Sequence, residues 1–255
     1  MPGLSEVERG RSEASHTVLA ATEVQPYLAP EADTPFPLRY AFYLLGDIRG
    51  KVVLDLGCGS GENLAPLLAR GANVIAVDLS EELVKLARGR LALTNQEMKP
   101  ALMVGSAYDV PLPDGSVDAI LCSSLLHHLD IPRAMAEMKR LLKPGGFAVV
   151  KEPVRFSRAF AVLRSWFPDR GDISEDEHPL TRAELLQVKS GWMSSGERAF
   201  RLPTMAAMIK VLGEKQALKF WRLDGWLLKM LTPLEHFATT RVVKLEKCSP
   251  EKAVL

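Results

Sequence analysis

Three glycines lie close together in a stretch that reads Asp55-Leu56-Gly57-Cys58-Gly59-Ser60-Gly61. Because glycine has no side chain, a loop built from it lets a ligand approach the backbone closely. Asp78 follows the loop by roughly 20 residues, the separation at which a carboxylate after the second strand can accept hydrogen bonds from both hydroxyls of a ribose. The loop and Asp78 together predict a site for a cofactor that contains adenosine.

The spacing of the glycines argues against a cofactor held by its phosphates. The dinucleotide fingerprint is G-x-G-x-x-G, and its third glycine would fall on Glu62. A carboxylate at that position would repel a pyrophosphate bound at the start of the following helix. The loop also lacks the G-x-x-x-x-G-K-[ST] pattern of a P-loop. Asp55, just before the loop, suits a ligand that carries a cationic amino group.

Two histidines and a glutamate are the candidates for proton transfer. A histidine titrates near neutral pH and can therefore act as a general base. His127 and His128 follow the fourth predicted strand, and since adjacent residues point in different directions, we expect one of them, His128, to face the site. Glu152, at the end of the fifth predicted strand, could orient a hydroxyl or an amine. The structural alternatives are a histidine pair packed in a turn and a salt bridge of Glu152 with Lys151 or Arg155.

The elements that would position these residues alternate along the chain. Short apolar runs predict strands, and helical patterns lie between them. Because parallel strands need right-handed crossover connections, this order predicts a doubly wound, mostly parallel α/β sheet. The predicted strands of the first half lie at residues 52–56, 73–77, 101–104, 117–122 and 147–151.

The second half of the chain completes this sheet. Its pattern predicts a helix from Thr181, a strand over 193–202, a helical stretch over 204–234 and a β-branched strand over 239–246. We therefore expect about seven strands in a Rossmann-like sheet.

The composition excludes other classes of protein. The 255 residues include 32 basic and 31 acidic side chains, so the formal charge of +1 gives no general attraction to nucleic acid. At 47% hydrophobic the chain is too apolar to be disordered. No run approaches the ~18 apolar residues of a membrane span, and residues 1–15 lack the apolar core of a secretory signal. The three widely spaced cysteines favour a reducing compartment, so we expect a cytoplasmic protein.

Four stretches resemble the class I S-adenosyl-L-methionine-dependent methyltransferases. Residues 53–61 are similar to the first motif of that family, and residues 74–80 to the second. Pro111-Leu112-Pro113-Asp114-Gly115-Ser116-Val117-Asp118 resembles the turn before the fourth strand, and Leu141-Leu142-Lys143-Pro144-Gly145-Gly146 the turn before the fifth. The resemblance covers residues 50–152 and is strongest to the small-molecule branch (type 11) that includes quinone-biosynthesis enzymes. It implies a Rossmann-like fold and S-adenosyl-L-methionine as the cofactor.

The resemblance also implies roles for individual residues. Asp55 would lie near the amino group of the cofactor, Asp78 would hold the ribose hydroxyls, and Leu79 would lie against the adenine. The three glycines of the loop would pack against the methionine and ribose portions, and they are Gly57, Gly59 and Gly61.

One position departs from the family pattern. Where the family usually has an acidic residue that accepts from the adenine amino group, this chain has Ser106. We therefore expect the adenine contacts to depend on the backbone of Ala107 and, second, on Asp109. Ser123 would lie where the chain passes the methionyl group.

The residues outside the cofactor motifs are expected to choose the acceptor. Residues 1–49 form an N-terminal arm in this scheme, with helices expected near Thr17–Val24 and over 38–45, and residues 50–255 form the methyltransferase domain. An apolar insertion at about 203–237 separates the sixth and seventh predicted strands and could fold over the site as a lid with a greasy pocket. The alternatives are a core or dimer helix without substrate contact and, because lysines and arginines intersperse the apolar residues, peripheral contact with a membrane.

The sequence as a whole predicts methyl transfer to oxygen or carbon of an apolar small molecule by in-line displacement. A catalytically inactive cofactor-binding module stays an alternative because no catalytic residue is compelled by sequence. An RNA or protein methyltransferase is disfavoured by the neutral charge, and a nicotinamide oxidoreductase by Glu62. We predict no metal site, since the contiguous acidic run at 175–178 is typical of a solvated loop.

Overall fold

The computed structural model describes residues 24–92, 99–156, 178–203, 208 and 217–247. In this part of the chain, strands form one sheet in the order β3-β2-β1-β4-β5-β7-β6. The strands β1 to β5 pair in parallel, whereas β7 is antiparallel to both of its neighbours. The predicted α/β class and the mostly parallel sheet are confirmed. The strands are β1 Val52–Leu56, β2 Asn73–Asp78, β3 Ala101–Val104, β4 Val117–Ser123, β5 Leu142–Pro153, β6 Met193–Phe200 and β7 Thr240–Glu246.

Helices cover both faces of the sheet. One face packs against α1, α2 and the side of α3 that carries Ala87, and the other against α4 and α5. The β1 strand shows that both faces of the sheet are covered. Its consecutive residues Val53 and Leu54 point to opposite faces, and both are fully buried. The helices are α1 Pro37–Leu45, α2 Leu64–Ala69, α3 Glu81–Ala92, α4 Ile131–Leu141, α5 Arg182–Lys189 and α6 Ala217–Met230.

Local capping fixes where several helices start. The Asp130 side chain accepts from the amide of Arg133 at the start of α4, and Pro132 occupies the first turn. Thr181 and Glu184 form a reciprocal capping box on α5. The α5 helix therefore begins within one residue of its predicted start. The short 3-10 turn Leu126–His128 contacts both α4 and β5.

The N-terminal arm is described only from residue 24. The helix predicted near Thr17–Val24 lies outside the described residues, apart from Val24. The predicted helix over 38–45 is confirmed as α1, whose Ala41, Phe42 and Leu45 are buried. No helix in the described ranges is long and apolar enough to span a membrane.

The apolar insertion begins at the same sheet edge as the glycine loop. Since β5 and β6 are both antiparallel to β7, they run in the same direction, so Phe200 and Pro153 end at one edge. Helix α6 then packs on the end of β6 through Leu228, which is buried with Leu202. The helical pattern predicted over 204–234 ends earlier, at Met230, because a 3-10 turn, Thr232–Phe237, with a proline follows. Residues 204–207 and 209–216 of the insertion lie outside the described residues.

Candidate functional site

The predicted site residues converge because their strands are parallel and in register. Leu56 of β1 pairs with Val77 of β2 on one side and with Cys122 of β4 on the other. Asp78, at the end of β2, pairs with Val104 of β3. The residues that follow these strand ends therefore meet at one edge of the sheet, where ligands bind in open α/β folds.

The three glycines of the loop serve different purposes. All have positive φ, at 72°, 52° and 81° for Gly57, Gly59 and Gly61. A Cβ on Gly57 would come within 2.8 Å of the Leu125 side chain, and one on Gly61 within 2.8 Å of Ala87 Cβ. A Cβ on Gly59 would meet nothing within 4 Å. Two glycines thus permit close protein packing, and Gly59 is the one that leaves space for a ligand.

Asp78 fastens the loop to the second strand. Its Oδ2 accepts from the Gly59 amide at 2.8 Å, and its Oδ1 accepts from the Ser80 amide at 3.0 Å. The loop is held further by the Gly57 and Cys58 amides, which both donate to the Val77 carbonyl. A carboxylate offers about four lone-pair sites. Asp78 can therefore shape the loop and still accept hydrogen bonds from ribose hydroxyls.

Asp55 is a buried carboxyl group with an unused acceptor. Its Oδ1 accepts from Asn63 Nδ2 at 3.3 Å, whereas its buried Oδ2 has no hydrogen-bond partner in the described part of the chain. Burial raises the pKa of Asp55 to about 7, opposed by the Asn63 hydrogen bond and reinforced by the negative charge of Asp78. A cationic group at Oδ2 would relieve this cost. The arrangement fits the amino group of the expected cofactor.

Sequence reasoning missed Asn63 as a site residue. It precedes α2, where an asparagine is usually interpreted as a helix cap. In the structure its side chain makes no capping hydrogen bond and binds Asp55 instead. The backbone angles of Asn63 are already helical, unlike those of a usual N-cap residue, and this is visible only in the structure.

Two exposed apolar side chains lie where the adenine was predicted. Leu79, which follows β2, is 76% exposed, and Val104, at the end of the edge strand β3, is 51% exposed. Ser106 uses its hydroxyl to accept from the Tyr108 amide, and its carbonyl accepts from the Asp109 amide. These bonds form a tight turn that presents Ala107 and Asp109 beside the end of β3. Their contacts with adenine stay a prediction.

A lysine joins the ends of β4 and β5. Lys151 Nζ donates to Ser123 Oγ at 3.3 Å and to Ser124 Oγ at 2.9 Å. Ser124 has φ of 55°, in the left-handed region that costs energy for residues other than glycine. Backbone strain of this kind is concentrated at functional sites. The predicted methionyl contact, Ser123, thus belongs to a polar cluster at the centre of the edge.

Glu152 binds His127 rather than His128. His127 Nδ1 lies 2.7 Å from Glu152 Oε2, and Oε1 accepts from the amides of Leu125 and Leu126, each at 2.8 Å. The His127 side chain is 1% exposed, and its buried Nε2 has no hydrogen-bond partner within the described ranges. His128 is exposed and lies against the His127 ring, with 3.9 Å between centroids.

The expected salt bridge of Glu152 with Lys151 or Arg155 is absent from the described contacts. Lys151 lies on the opposite face of β5 from Glu152, because neighbouring residues of a strand alternate. The pairing that formed, a carboxylate that holds one imidazole nitrogen and leaves the other free, is the arrangement that orients a general base.

A cavity of about 500 Å³ lies on the β6–β7 side of the sheet. Arg241 lines it and pairs across the sheet with Glu152, so the two residues stand next to each other on one face. Arg241 Nη1 donates to Glu235 Oε2 at 2.8 Å, while its buried Nε has no hydrogen-bond partner among the described residues. The lining of the cavity mixes apolar and charged side chains. It consists of Phe156, Arg182, Leu185, Leu186, Lys189, Glu197, Thr232, Pro233, Glu235, His236 and Arg241.

Residues 54–150 match the family model described as a methyltransferase domain. An uncharacterized methyltransferase of Mycobacterium tuberculosis is 40% identical over 94 residues, covering 37% of this chain and 36% of that protein. A demethylmenaquinone methyltransferase of Symbiobacterium thermophilum is 34% identical over 114 residues, covering 43% and 45%. The chain thus spans less than half the length of these relatives.

A solved structure extends the likeness to most of the chain. The geranyl diphosphate C-methyltransferase of Streptomyces coelicolor A3(2) superposes with a TM-score of 0.56 at 17% identity, covering 81% of this chain and 79% of that one. At this identity the likeness concerns the fold. Together with the family match over residues 54–150, it confirms the predicted Rossmann-like fold.

Proposed function

The chain contains a class I methyltransferase domain, and from that premise we propose that it transfers the methyl group of S-adenosyl-L-methionine to an oxygen or carbon atom of a small, largely apolar acceptor. The observation that carries the proposal is the joint placement of Asp55, Gly59 and Asp78. Asp55 offers a buried oxygen without a hydrogen-bond partner among the described residues, and Gly59 leaves the backbone open to a ligand. Asp78 offers a carboxylate at the position expected for the ribose.

We assign the cofactor-binding roles along the sheet edge. Asp55 binds the amino group, Asp78 binds the ribose hydroxyls, and Leu79 packs against the adenine. The loop glycines contact the methionine and ribose portions, and Ser106, Ala107, Asp109 and Ser123 complete the site. When bound, the cofactor supplies an electrophilic methyl group on a sulfonium, which a correctly aligned nucleophile attacks in line.

On the acceptor side, we assign proton removal to the His127–Glu152 pair. Glu152 holds His127 Nδ1, so the ring presents Nε2 as the free nitrogen. Leaving such a polar atom buried and unpaired costs stability, which is the kind of cost that proteins accept at functional sites. His128, which the sequence favoured, is the alternative base. Turnover measured with the alanine variant of each histidine separates the two assignments.

The cavity lined by Arg241 is the site that we propose for the acceptor. Arg241, which lines this cavity, is the strand partner of Glu152, and this neighbourhood supports an acceptor site on the side of the proposed base. Phe156 and Leu185 would contact an apolar body, and the charged side chains would contact a polar substituent. The demethylmenaquinone relative is named for a quinone acceptor, which has this combination of an apolar body and polar oxygens.

Two measurements test the proposal. Calorimetry with S-adenosylhomocysteine should show saturable binding that Asp78→Ala weakens, and an acceptor screen with radiolabelled methyl donor should show transfer into a small molecule. Binding without transfer to any acceptor would favour the inactive cofactor-binding module instead. Transfer into RNA or protein, with binding that weakens steeply as salt rises in the RNA case, would overturn the small-molecule assignment.

A further inference from the structure

Helix α6 presents an unusual outer face. Leu218 and Trp226 on this face are 48% and 56% exposed, and Met230 and Leu231 at its end are 56% and 50% exposed. At helical spacing Trp226 and Met230 lie on the side of α6 opposite to Leu228, which packs on β6, whereas Leu218 lies at the flank of that side and Leu231 follows the last residue of the helix. An exposed apolar patch of this kind marks an interaction surface rather than a random set of surface residues.

The charges on the same face all have one sign. Lys219, Arg222 and Lys229 intersperse the apolar side chains, and none has an ion-pair partner among the residues that the structure describes. The acidic residue of the helix, Asp224, is buried and accepts from the amides of Arg201 and Leu202. We call the exposed set the α6 surface, and it consists of Leu218, Lys219, Arg222, Leu223, Trp226, Lys229, Met230 and Leu231.

We infer that the α6 surface docks onto a lipid surface that carries anionic headgroups. Large apolar side chains that flank a tryptophan, with lysine and arginine as the charged residues, are the composition of helices that lie in the membrane interface. The long basic side chains can extend toward phosphates while their stems stay beside the apolar patch. The inference concerns binding alone and does not depend on the proposed activity.

Charge favours a membrane over two other occupants. A second copy of the same face would place its cations opposite those of the first, since an isologous dimer pairs identical patches. A nucleic acid would meet the cations, but it offers nothing to the aliphatic side chains of Leu218, Met230 and Leu231.

The α6 surface also ends at Leu231, and the next two residues, Thr232 and Pro233, line the cavity described above.

Vesicle flotation with the full chain tests this inference. We expect the protein to float with vesicles of 7:3 phosphatidylcholine and phosphatidylglycerol, to bind pure phosphatidylcholine at least tenfold less, and to dissociate as salt is raised. Changing Lys219, Arg222 and Lys229 together to glutamine should lower the partition coefficient at least tenfold. Trp226→Gln should lower it severalfold at every salt concentration.

Matched variants elsewhere separate this surface from general attraction. Leu86 on α3 is 60% exposed, so Leu86→Gln removes a comparable apolar side chain, and a triple glutamine variant of Lys51, Arg88 and Lys99 removes the same charge. Both should float like the unchanged protein, and all variants should keep their affinity for S-adenosylhomocysteine as evidence of folding. The inference is overturned by absence of flotation, by equal losses in the control variants, by a dimer that Trp226→Gln dissociates while vesicles are ignored, or by binding to single-stranded RNA without binding to vesicles.

Discussion

The two halves of the sheet edge are built in different ways. On the cofactor side, the Asp78 carboxylate accepts from the amides of Gly59 and Ser80, and the Ser106 hydroxyl accepts from the amide of Tyr108. On the acceptor side, His127 is joined to Glu152 of β5, and Glu152 pairs across the sheet with Arg241 of β7. The cofactor side is therefore built from short sequence motifs, whereas the acceptor side depends on how the strands pair.

This difference explains where sequence motifs accumulate. A loop that must approach a fixed cofactor constrains residue type and spacing within a few positions, so it leaves a recognisable pattern. A pocket for an acceptor can be assembled from many combinations of distant side chains. The family model matches this chain at residues 54–150, the part that holds the cofactor motifs.

The largest expected effect tests the acceptor side. His127→Ala should lower kcat on an identified acceptor by about 100-fold or more, because it removes the oriented base. His128→Ala should leave kcat within about threefold. Steady-state turnover with both variants decides the assignment, and the reverse order of losses would return the role to His128.

On the cofactor side, Asp78→Ala should raise the Kd for S-adenosylhomocysteine by about 100-fold. The change removes the predicted ribose contacts and also two charge-assisted bonds, one to the loop at Gly59 and one to Ser80. Glu81→Gln, in the neighbouring turn and exposed, is the control and should change Kd little. Calorimetry that gives equal Kd values for Asp78→Ala and the unchanged protein would contradict the ribose assignment.

The ionisation of Asp55 gives a pH dependence that belongs to the cofactor side alone. Because its pKa is raised to about 7, cofactor binding to the ionised form should weaken about tenfold between pH 7 and pH 5.5. Asp55→Asn should bind weakly and show no such slope. Calorimetry at the two pH values measures both.

The same carboxyl group should affect stability with the opposite sign. A raised pKa in the folded state gives stability that is present at low pH and lost as the pH rises through about 7. Asp55→Asn should therefore raise the free energy of unfolding of the cofactor-free protein more at pH 8 than at pH 5. Urea unfolding that shows no pH-dependent gain would mean that the carboxyl group is solvated.

The smallest expected effect on chemistry comes from the insertion. Asp224→Ala removes the acceptor for the amides of Arg201 and Leu202 and should lower the free energy of unfolding by about 1–2 kcal/mol. It should raise the KM for the acceptor a few-fold and leave the cofactor Kd unchanged. Asp224→Asn, which keeps one acceptor oxygen, should lose less stability. A change in cofactor Kd would show that the two halves are coupled.

Much of the fold followed from local pattern. The strands from β1 to β4 lie within one residue of their predicted bounds, because buried parallel strands are continuous apolar runs with glycine or turn residues after them. The β5 strand extends beyond both of its predicted bounds. It begins at Leu142, ahead of the Pro-Gly-Gly turn, and it ends at Pro153. The end of the α6 region was also missed, since a hydrophobic pattern does not distinguish a helix from the 3-10 turn that follows it.

The sequence by itself determined the alternation of strands and helices in the cofactor half, the glycine loop and the Asp78 position, because backbone geometry there depends on residues that are close along the chain. The tertiary structure alone decided that Glu152 binds His127, that Asn63 binds Asp55, and that Arg241 stands beside Glu152. These contacts depend on side-chain direction and on the insertion of β7 between β5 and β6, which brings together residues far apart in sequence. Only the fold could also show that the apolar side chains of α6 are directed in part toward solvent, because periodicity marks an apolar face without saying what covers it.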